Sequence, residues 1–546
     1  MKKKLKKNSF VEGAFIAYIS IVITKIIGAL YNIPLYNIIG EEGGFIYSCA
    51  YNVYSLFLEI STSGIPIAMS IIIGEYNALN KYRSKERAYK LGIYCILILS
   101  ILSFLFIQLY AGNMANYFVN NSTDGANIKD VATSFRVISY CLLIVPFLSV
   151  ERGYLQGHKL ISLSSYSQVI EQFVRIAFVL ISSYVIIKYY HLSQNFGVLF
   201  ALAGAGIGAL AATIYLKKRK KNNLDLFLKE SADETIENDR TILKKMANYS
   251  SVVIITSISL SIYKIMHMRL ILVGLDNLGY LANDAQLISS IISHWAPKIC
   301  MLIIALSMGM TGSIAPHIAD NYANKDYQGV KNKIHQALSI LFIITVPLTI
   351  AMVIFSGSLY NIFYGSSIYG DKILAMSLIL NAVGTFSTIF STIMQSMGKG
   401  KIVCFANVTG NILNVVFDLP LIYLFAYLNL PPYLGALASS ILSQIFITFV
   451  LAYDLKKHIN FKYNKLYKTI QQMIIPLFAM LMFIFVLNRF WTVDGNGRIY
   501  QAFQLMIYGI TGSIIYFSLS YKSGLLENIA DAGFFKKIIS SLKPEK

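Results

Sequence analysis

Charge is scarce in this 546-residue chain: 14% of its residues are Asp, Glu, Lys or Arg, 56% are hydrophobic, and the mean hydropathy is +0.58. That balance excludes a string of soluble domains, each of which would need a polar surface around its own core. Cysteine is scarcer still. Cys49, Cys95, Cys141, Cys300 and Cys404 lie inside apolar stretches, with no CxxC spacing and no His or Cys neighbour at ligand spacing. Neither a disulfide framework nor a zinc site is expected, so the metal and cofactor expectation is none. Long polar segments are missing as well. The longest connection between apolar runs, 217–245, is highly charged with little to bury, which leaves no room for a soluble catalytic domain. A catalytic acidic cluster at a membrane face is not apparent either: Glu41-Glu42 is a lone pair in a short turn, without the DxD-like metal pair or histidines that an integral-membrane lipid-sugar enzyme needs. The chain reads as a non-enzyme.

What is present is a succession of apolar runs. A bilayer core of roughly 30 Å takes about 20 residues of helix, and runs of that order occupy 10–38, 44–73, 88–111, 131–150, 160–187, 193–216, 246–273, 284–312, 333–356, 371–396, 402–425, 432–455, 469–489 and 499–521. The expected fold is therefore all-α and polytopic, with about fourteen transmembrane helices. The first run follows a basic stretch, Met1 to Phe10, but no small-residue cleavage site follows it, so it reads as a retained span.

The net charge of +20 arises from 47 Lys and Arg against 27 Asp and Glu. These bases are interspersed between apolar runs and never form one basic domain, so they flank a membrane and do not mark a nucleic-acid binder. They also alternate. The N-terminal run Lys2 to Lys7, the run Lys217 to Lys221 and the C-terminal tail are basic, whereas Gly40 to Gly43 and Val273 to Asn283 contain no Lys or Arg. Basic residues are retained on the cytoplasmic side. Both termini are then cytoplasmic.

Two motif pairs recur at similar offsets. Glu75 to Tyr82, after span two, resembles Asp320 to Tyr327, after span eight, and Leu155 to Lys159, after span four, resembles Met394 to Lys401, after span ten. Six spans thus repeat as six, in the same sense, a parallel repeat that encloses a central cavity. The expected organisation is an N-terminal lobe at 1–216, a cytoplasmic linker at 217–245, a C-terminal lobe at 246–455, two further spans within 456–521 and a cytoplasmic tail at 522–546.

Charges inside the spans are the next signal, because each costs about 2.5–3.5 kcal/mol at a helix centre and needs a partner, water or a ligand. Lys25 and Glu59 lie near the middles of antiparallel spans one and two and read either as an ion pair or as separate groups. Glu171 and Arg175 are spaced i,i+4 on span five and read as mutually neutralising. Arg136, Glu151 and Arg152 lie near the ends of span four, close enough to snorkel. Span seven carries Lys264, His267 and Arg269, and span eight carries His294 and Lys298 at i,i+4. Asp418 precedes Pro420, which frees backbone carbonyls, and is read chiefly as part of a kink, with a small cation site as the alternative. His294 is read chiefly as a hydrogen-bonded structural residue, with proton coupling as the alternative. After pairing, the intramembrane surplus is positive and falls on spans one, seven and eight. Pro34, Gly64-Ile65-Pro66, Pro297 and Pro316 interrupt spans that carry these charges.

The stretches Lys25 to Gly40, Tyr51 to Ala68 and Glu75 to Ala78 resemble the SpoVB/YtgP-type polysaccharide-biosynthesis proteins of the MOP superfamily, which also holds MurJ, Wzx and MATE transporters. The resemblance continues through Pro316, Gln395 to Lys401 and Gly435 to Ala438. It implies two six-helix lobes, two extra C-terminal helices and alternating access that exports a lipid-linked glycan such as lipid II across the bacterial cytoplasmic membrane. The implied partners are a polyprenyl-pyrophosphate-linked glycan, membrane lipids and cell-wall synthesis enzymes. Thr24 to Gly28 falls where MurJ-type flippases place an arginine, so Lys25 keeps the charge without the bidentate fork. Tyr31 and Asn32 stand where MurJ-like proteins carry an Arg-Asp pair, and Leu58-Glu59 stand near paired arginines. His294, Lys298 or both stand in for an arginine before the span-eight proline. Lys25, Lys264, His294 and Lys298 form the expected substrate-binding set, with Glu59, Glu171, Arg175 and Asp418 as charge partners. A MATE-like exporter of cationic drugs is the alternative transport reading, and the positive surplus opposes it.

Overall fold

The computed structural model describes residues 10–119, 125–221, 236–491 and 497–525. The N-terminal basic run, residues 222–235 of the 217–245 linker and most of the tail lie outside them. Eighteen α-helices occupy the described chain: α1 (Phe10–Leu30), α2 (Asn32–Thr62), α3 (Ile65–Ala78), α4 (Tyr82–Phe118), α5 (Ile128–Ser139), α6 (Val145–Gly157), α7 (Ile161–Tyr184), α8 (Gln194–Lys221), α9 (Asp239–Asn277), α10 (Ala282–Ser290), α11 (Ala296–Ala323), α12 (Tyr327–Ile354), α13 (Ser356–Tyr364), α14 (Gly370–Ser396), α15 (Gly400–Tyr427), α16 (Tyr433–Ile459), α17 (Asn464–Phe490) and α18 (Arg498–Lys522). Beyond α1, thirteen helical stretches are long and apolar enough to cross a membrane, and no strand occurs among the described residues. The protein is an all-α, multi-pass membrane protein of about fourteen spans.

The end of the first span is set by one glycine. Backbone bonds from Tyr31 to Ile27 (3.1 Å) and from Leu35 to Tyr31 (3.2 Å) carry the helix across the junction of α1 and α2. The rod then breaks at Gly40, whose φ of +69° lies in the left-handed region that other residues avoid. Span two breaks where expected, between Thr62 and Ile65. A Cβ on Gly64 would stand 2.8 Å from the Ser250 carbonyl oxygen, so glycine there admits a close approach of α9.

Both motif pairs close the same kind of turn. Asn80 (φ +57°) and Lys325 (φ +60°) occupy equivalent left-handed positions, with Lys81 donating to the Tyr76 carbonyl at 2.9 Å and Asp326 to the Asn321 carbonyl at 2.8 Å. Lys159 (φ +61°) and Gly398 (φ +74°) repeat the arrangement, with Leu160 bonded to Leu155 and Lys399 to Met394, each at 2.9 Å. These are helix-ending motifs in which the donor two residues past the cap satisfies an orphan carbonyl.

The described helices form two compact units, one comprising the chain up to Met301 with Asn407–Ser439, the other Leu302–Ala406 with the chain from Ser440 onward. The first has a core of Met69, Ile72, Ile73 and Tyr76 from α3, met by Ala88 and Ile96 of α4, Leu148 and Tyr154 of α6, Ala209 of α8 and Met246 of α9. In the second, Ile334, Leu338 and Leu341 of α12 meet Ile389 and Ile393 of α14 and Leu451 and Leu455 of α16. A further cluster joins Met473, Met480 and Ile484 of α17 to Tyr508 and Tyr516 of α18. The opposite face of α17 exposes Ile475, Phe478 and Phe485, a contiguous apolar surface suited to lipid.

Candidate functional site

Tyr51 on α2 is the residue around which the intramembrane cations gather. Arg175 on α7 brings Nη2 to 3.5 Å from its phenol oxygen, with Cζ 5.6 Å from the ring centroid. Lys298 on α11 places Nζ 5.5 Å from the same centroid. Lys25 on α1 lies within electrostatic range of Lys298 and Tyr51, and Lys264 on α9 within range of Glu59, Lys298, Tyr51 and Lys25. The sequence-selected set is therefore brought together, all of it within the first compact unit.

His294 joins the group by ring contacts. Its imidazole lies 5.5 Å from Tyr51, 5.2 Å from Tyr47 and 5.0 Å from Trp295, centroid to centroid. It is buried, and Nε2 has no hydrogen-bond partner among the described residues. The expected hydrogen-bonded structural role is thus replaced by aromatic packing. His294 sits in a π-helical turn, Ile291–Trp295, just before Pro297. Proline has no N–H to give the preceding turn, and a widened turn there absorbs the missing bond.

Two expected pairings are not made. Glu171 does not neutralise Arg175; its carboxylate takes a 2.7 Å bond from Nη2 of Arg152, whose Nε also donates to Ser167 at 2.8 Å. Arg152 therefore does not merely snorkel. A charge-assisted bond from a neighbouring helix outweighs an i,i+4 pair worth only a few tenths of a kcal/mol. Lys25 and Glu59 are likewise not within ion-pair distance. Among the described residues, none of Lys25, Lys264 and Lys298 forms an ion pair, and Arg175 leaves Nε buried without a hydrogen-bond partner. Four cations thus share one neighbourhood, with Glu59 acting on Lys264, and the like charges in it repel one another.

Asp418 belongs to a second, separate group. α15 carries Pro420 inside the helix, and the Asp418 carboxylate before it is engaged by side chains of α9 and α16. It is fully buried, with Oδ2 2.8 Å from Nδ1 of His267 and Oδ1 hydrogen-bonded to the Ser439 hydroxyl, which also lies 3.0 Å from Asn414 Oδ1. His267 had no assigned role in the sequence reading. Its partner is 151 residues away.

A third group lies where α3, α4 and α9 meet. Glu237 accepts from the Tyr76 hydroxyl (2.7 Å) and Lys81 (3.1 Å), with Lys245 at 3.3 Å. Lys245 also pairs with Glu75 at 2.8 Å, and Arg87 makes a bidentate pair with Asp239 at 2.7 and 2.6 Å. The Tyr76 hydrogen bond, then Lys81 and Lys245, hold the Glu237 carboxyl below the usual carboxylate range.

Sequence reasoning missed Tyr51 as the hub and Arg175 as a cluster member. The available signal was Tyr47 and Tyr51, an i,i+4 aromatic pair on one face of a span that already carries Glu59. Among the described residues no group of His, Cys, Asp and Glu is arranged to hold a metal ion.

An all-helical bundle of about fourteen spans with a cationic, half-buried cluster inside it is the architecture of a polytopic transporter. The chain belongs to the polysaccharide biosynthesis protein family, whose profile matches residues 10–299. The MatE family matches residues 294–419. Among curated proteins, the lipid II flippase MurJ of Bacillus subtilis is 24% identical, over 97% of this chain and 99% of its own length. The stage V sporulation protein B of the same organism is 21% identical over 66% of this chain and 68% of its own. An inward-facing multidrug resistance MATE family transporter of the MOP superfamily superposes with a TM-score of 0.64, covering 81% of this chain and 98% of that one at 16% identity. A MOP superfamily transporter from Pyrococcus furiosus with a binding pocket of reverse polarity gives 0.60, over 84% and 98% at 14% identity. The fold is that of the MOP superfamily, and the relatives whose names state an activity are a flippase and transporters, not enzymes.

Proposed function

We propose that this chain is an alternating-access flippase that carries an anionic, polyprenyl-pyrophosphate-linked glycan across the bacterial cytoplasmic membrane, with both termini cytoplasmic. The observation that carries the reading is the gathering of Lys25, Arg175, Lys264 and Lys298 around Tyr51, with Glu59 acting on Lys264. A pyrophosphate is the part of such a substrate most costly to move through hydrocarbon. Fixed cations in a site of low dielectric replace its hydration, while the polyprenyl tail stays in lipid. His294 completes the binding set beside Tyr51. Lysines release the anion more readily than a bidentate arginine cage. Its similarity over nearly the whole length to a lipid II flippase supports the same substrate class. Lobes at 1–216 and 246–455, related by an axis along the membrane normal and rocking to expose the headgroup outside, are the proposed moving parts, and cell-wall synthesis enzymes are the proposed neighbours in use.

The test is transport by the purified chain in liposomes at fixed ionic strength. A polyprenyl-pyrophosphate-linked sugar is expected to cross, and a cationic dye is not. Export of the dye with no response to the lipid-linked anion would replace this reading with a MATE-like cation exporter.

A further inference from the structure

The starts of α12 and α17 carry a second basic site, distinct from the Tyr51 cluster. On α12, Asn332, His335, Gln336 and Ser339 follow helical spacing along one face. On α17, Lys465, Lys468, Thr469 and Gln472 do the same. The two polar faces line a cleft of about 360 Å³. Its inner end is closed by the Ser339 and Thr469 hydroxyls, 3.4 Å apart. His335 forms one wall, stacked on Phe461 with centroids 4.4 Å apart, and its Nδ1 is buried without a hydrogen-bond partner among the described residues. A third ammonium stands beside the cleft, where Lys333 Nζ donates to Gln336 Oε1 at 3.2 Å.

The lining contains no carboxylate, and among the described residues neither Lys465 nor Lys468 makes an ion pair. Both lysines sit in the first turns of α17, at the end where the helix dipole already presents positive charge. Such an end is compensated by an anion. Further along α17, the exposed surface turns apolar, with Ile474, Ile475 and Phe478 facing outward. A polar basic cleft continuous with a lipid-facing apolar helix matches an amphiphile: phosphate in the cleft, acyl chains along the helix.

We propose that this α12–α17 cleft binds the phosphodiester headgroup of an anionic membrane phospholipid, with Lys465 and Lys468 as the charge contacts and the cleft amides and His335 as hydrogen-bond donors. The test uses the full-length protein in detergent micelles, titrated with short-chain fluorescent phosphatidylglycerol. At about 1 kcal/mol per basic residue near a headgroup, the pair Lys465→Gln/Lys468→Gln weakens binding roughly twenty-five-fold. The pair Lys456→Gln/Lys457→Gln removes the same charge at the end of α16, outside the cleft, and changes binding less than about twofold. Equal losses in the two pairs would reduce the site to diffuse surface charge and overturn the proposal. Competition by inorganic phosphate as strong as that by unlabelled phosphatidylglycerol would also overturn it, since the occupant would then be a free anion. Lys25→Ala leaves this binding unchanged, so the cleft stands or falls independently of the transport site.

Discussion

Two regions of the first compact unit hold cations of the same kinds and treat them in opposite ways. Where α3, α4 and α9 meet, Lys81, Lys245 and Arg87 each face a carboxylate within 3.1 Å, from Glu237, Glu75 and Asp239. Around Tyr51, Lys25, Arg175, Lys264 and Lys298 have an aromatic ring and the nearby Glu59. Partially exposed ion pairs of the first kind contribute little to stability, about 0–1 kcal/mol each, yet the chain supplies them. The buried Asp418 is satisfied too, by His267 and Ser439. In the membrane interior, where an uncompensated charge is most costly, this chain leaves a cluster of cations underpartnered. The difference teaches that the Tyr51 cluster is not built for stability, which is what the proposed transport of an anion requires.

The largest expected effect breaks the contrast at the underpartnered end. Removing one cation that faces a desolvated anion costs about 2–5 kcal/mol. Lys25→Ala should therefore lower the apparent affinity for the lipid-linked pyrophosphate on the order of 100-fold, with the protein inserted and abundant, whereas Lys25→Arg keeps part of the activity. The measurement is liposome transport. Recovery in Lys25→Ala/Glu59→Ala would mean that loss came from a stranded Glu59, and that Lys25 does not touch substrate.

A smaller effect sharpens the comparison at the satisfied buried pair. His267→Ala removes one of the two partners of Asp418 and should cost about 1–3 kcal/mol of stability, read as a lower thermal unfolding midpoint in detergent. Lys264→Ala, one turn away on α9, should leave that midpoint unchanged or raise it, because it relieves repulsion. An equal loss in both variants would erase the distinction between a structural pair and a ligand site.

The smallest effect concerns the paired surface cations. Glu237 has its carboxyl held below the ordinary range, so its contribution is present above that range and is lost as pH falls through the lowered value. Ser84 is buried and accepts the Glu237 backbone N–H at 3.2 Å, so a cysteine there is covered while the contacts persist. In an otherwise cysteine-free chain, the labelling rate of Ser84→Cys, divided at each pH by that of a free thiol to remove the falling thiolate fraction, should stay low and even from neutral pH to about pH 5 and rise only below the usual carboxylate pKa near ~4.3. Labelling is expected from the cytoplasmic side. Reaction with an impermeant reagent applied outside would reverse the proposed orientation.

Much of the fold was legible because membrane helices announce themselves by length and hydropathy. The rod ending at Gly40, the break at Gly64-Ile65-Pro66 and the helix-ending turns at Asn80 and Gly398 follow from local rules about glycine, proline and asparagine, whereas the left-handed Lys159 and Lys325 do not. The candidate site was legible as a class, an excess of intramembrane cations, but not as a set of contacts. Glu171 and Arg175 had the spacing for a pair, and His267 gave no local sign of Asp418.

Composition and periodicity alone were enough to indicate an all-α protein of about fourteen spans, and the residues whose charge is too costly to be idle in lipid. Each of those depends on a residue and its near neighbours in the chain. Which carboxylate Arg152 takes, that Arg175 turns to Tyr51, and that Asp418 is held by His267 and Ser439 were decided only by packing between helices. A hydrogen bond is made or lost within a few tenths of an ångström, and the register between two helices separated by 151 residues, as His267 and Asp418 are, is set by all the side chains between them.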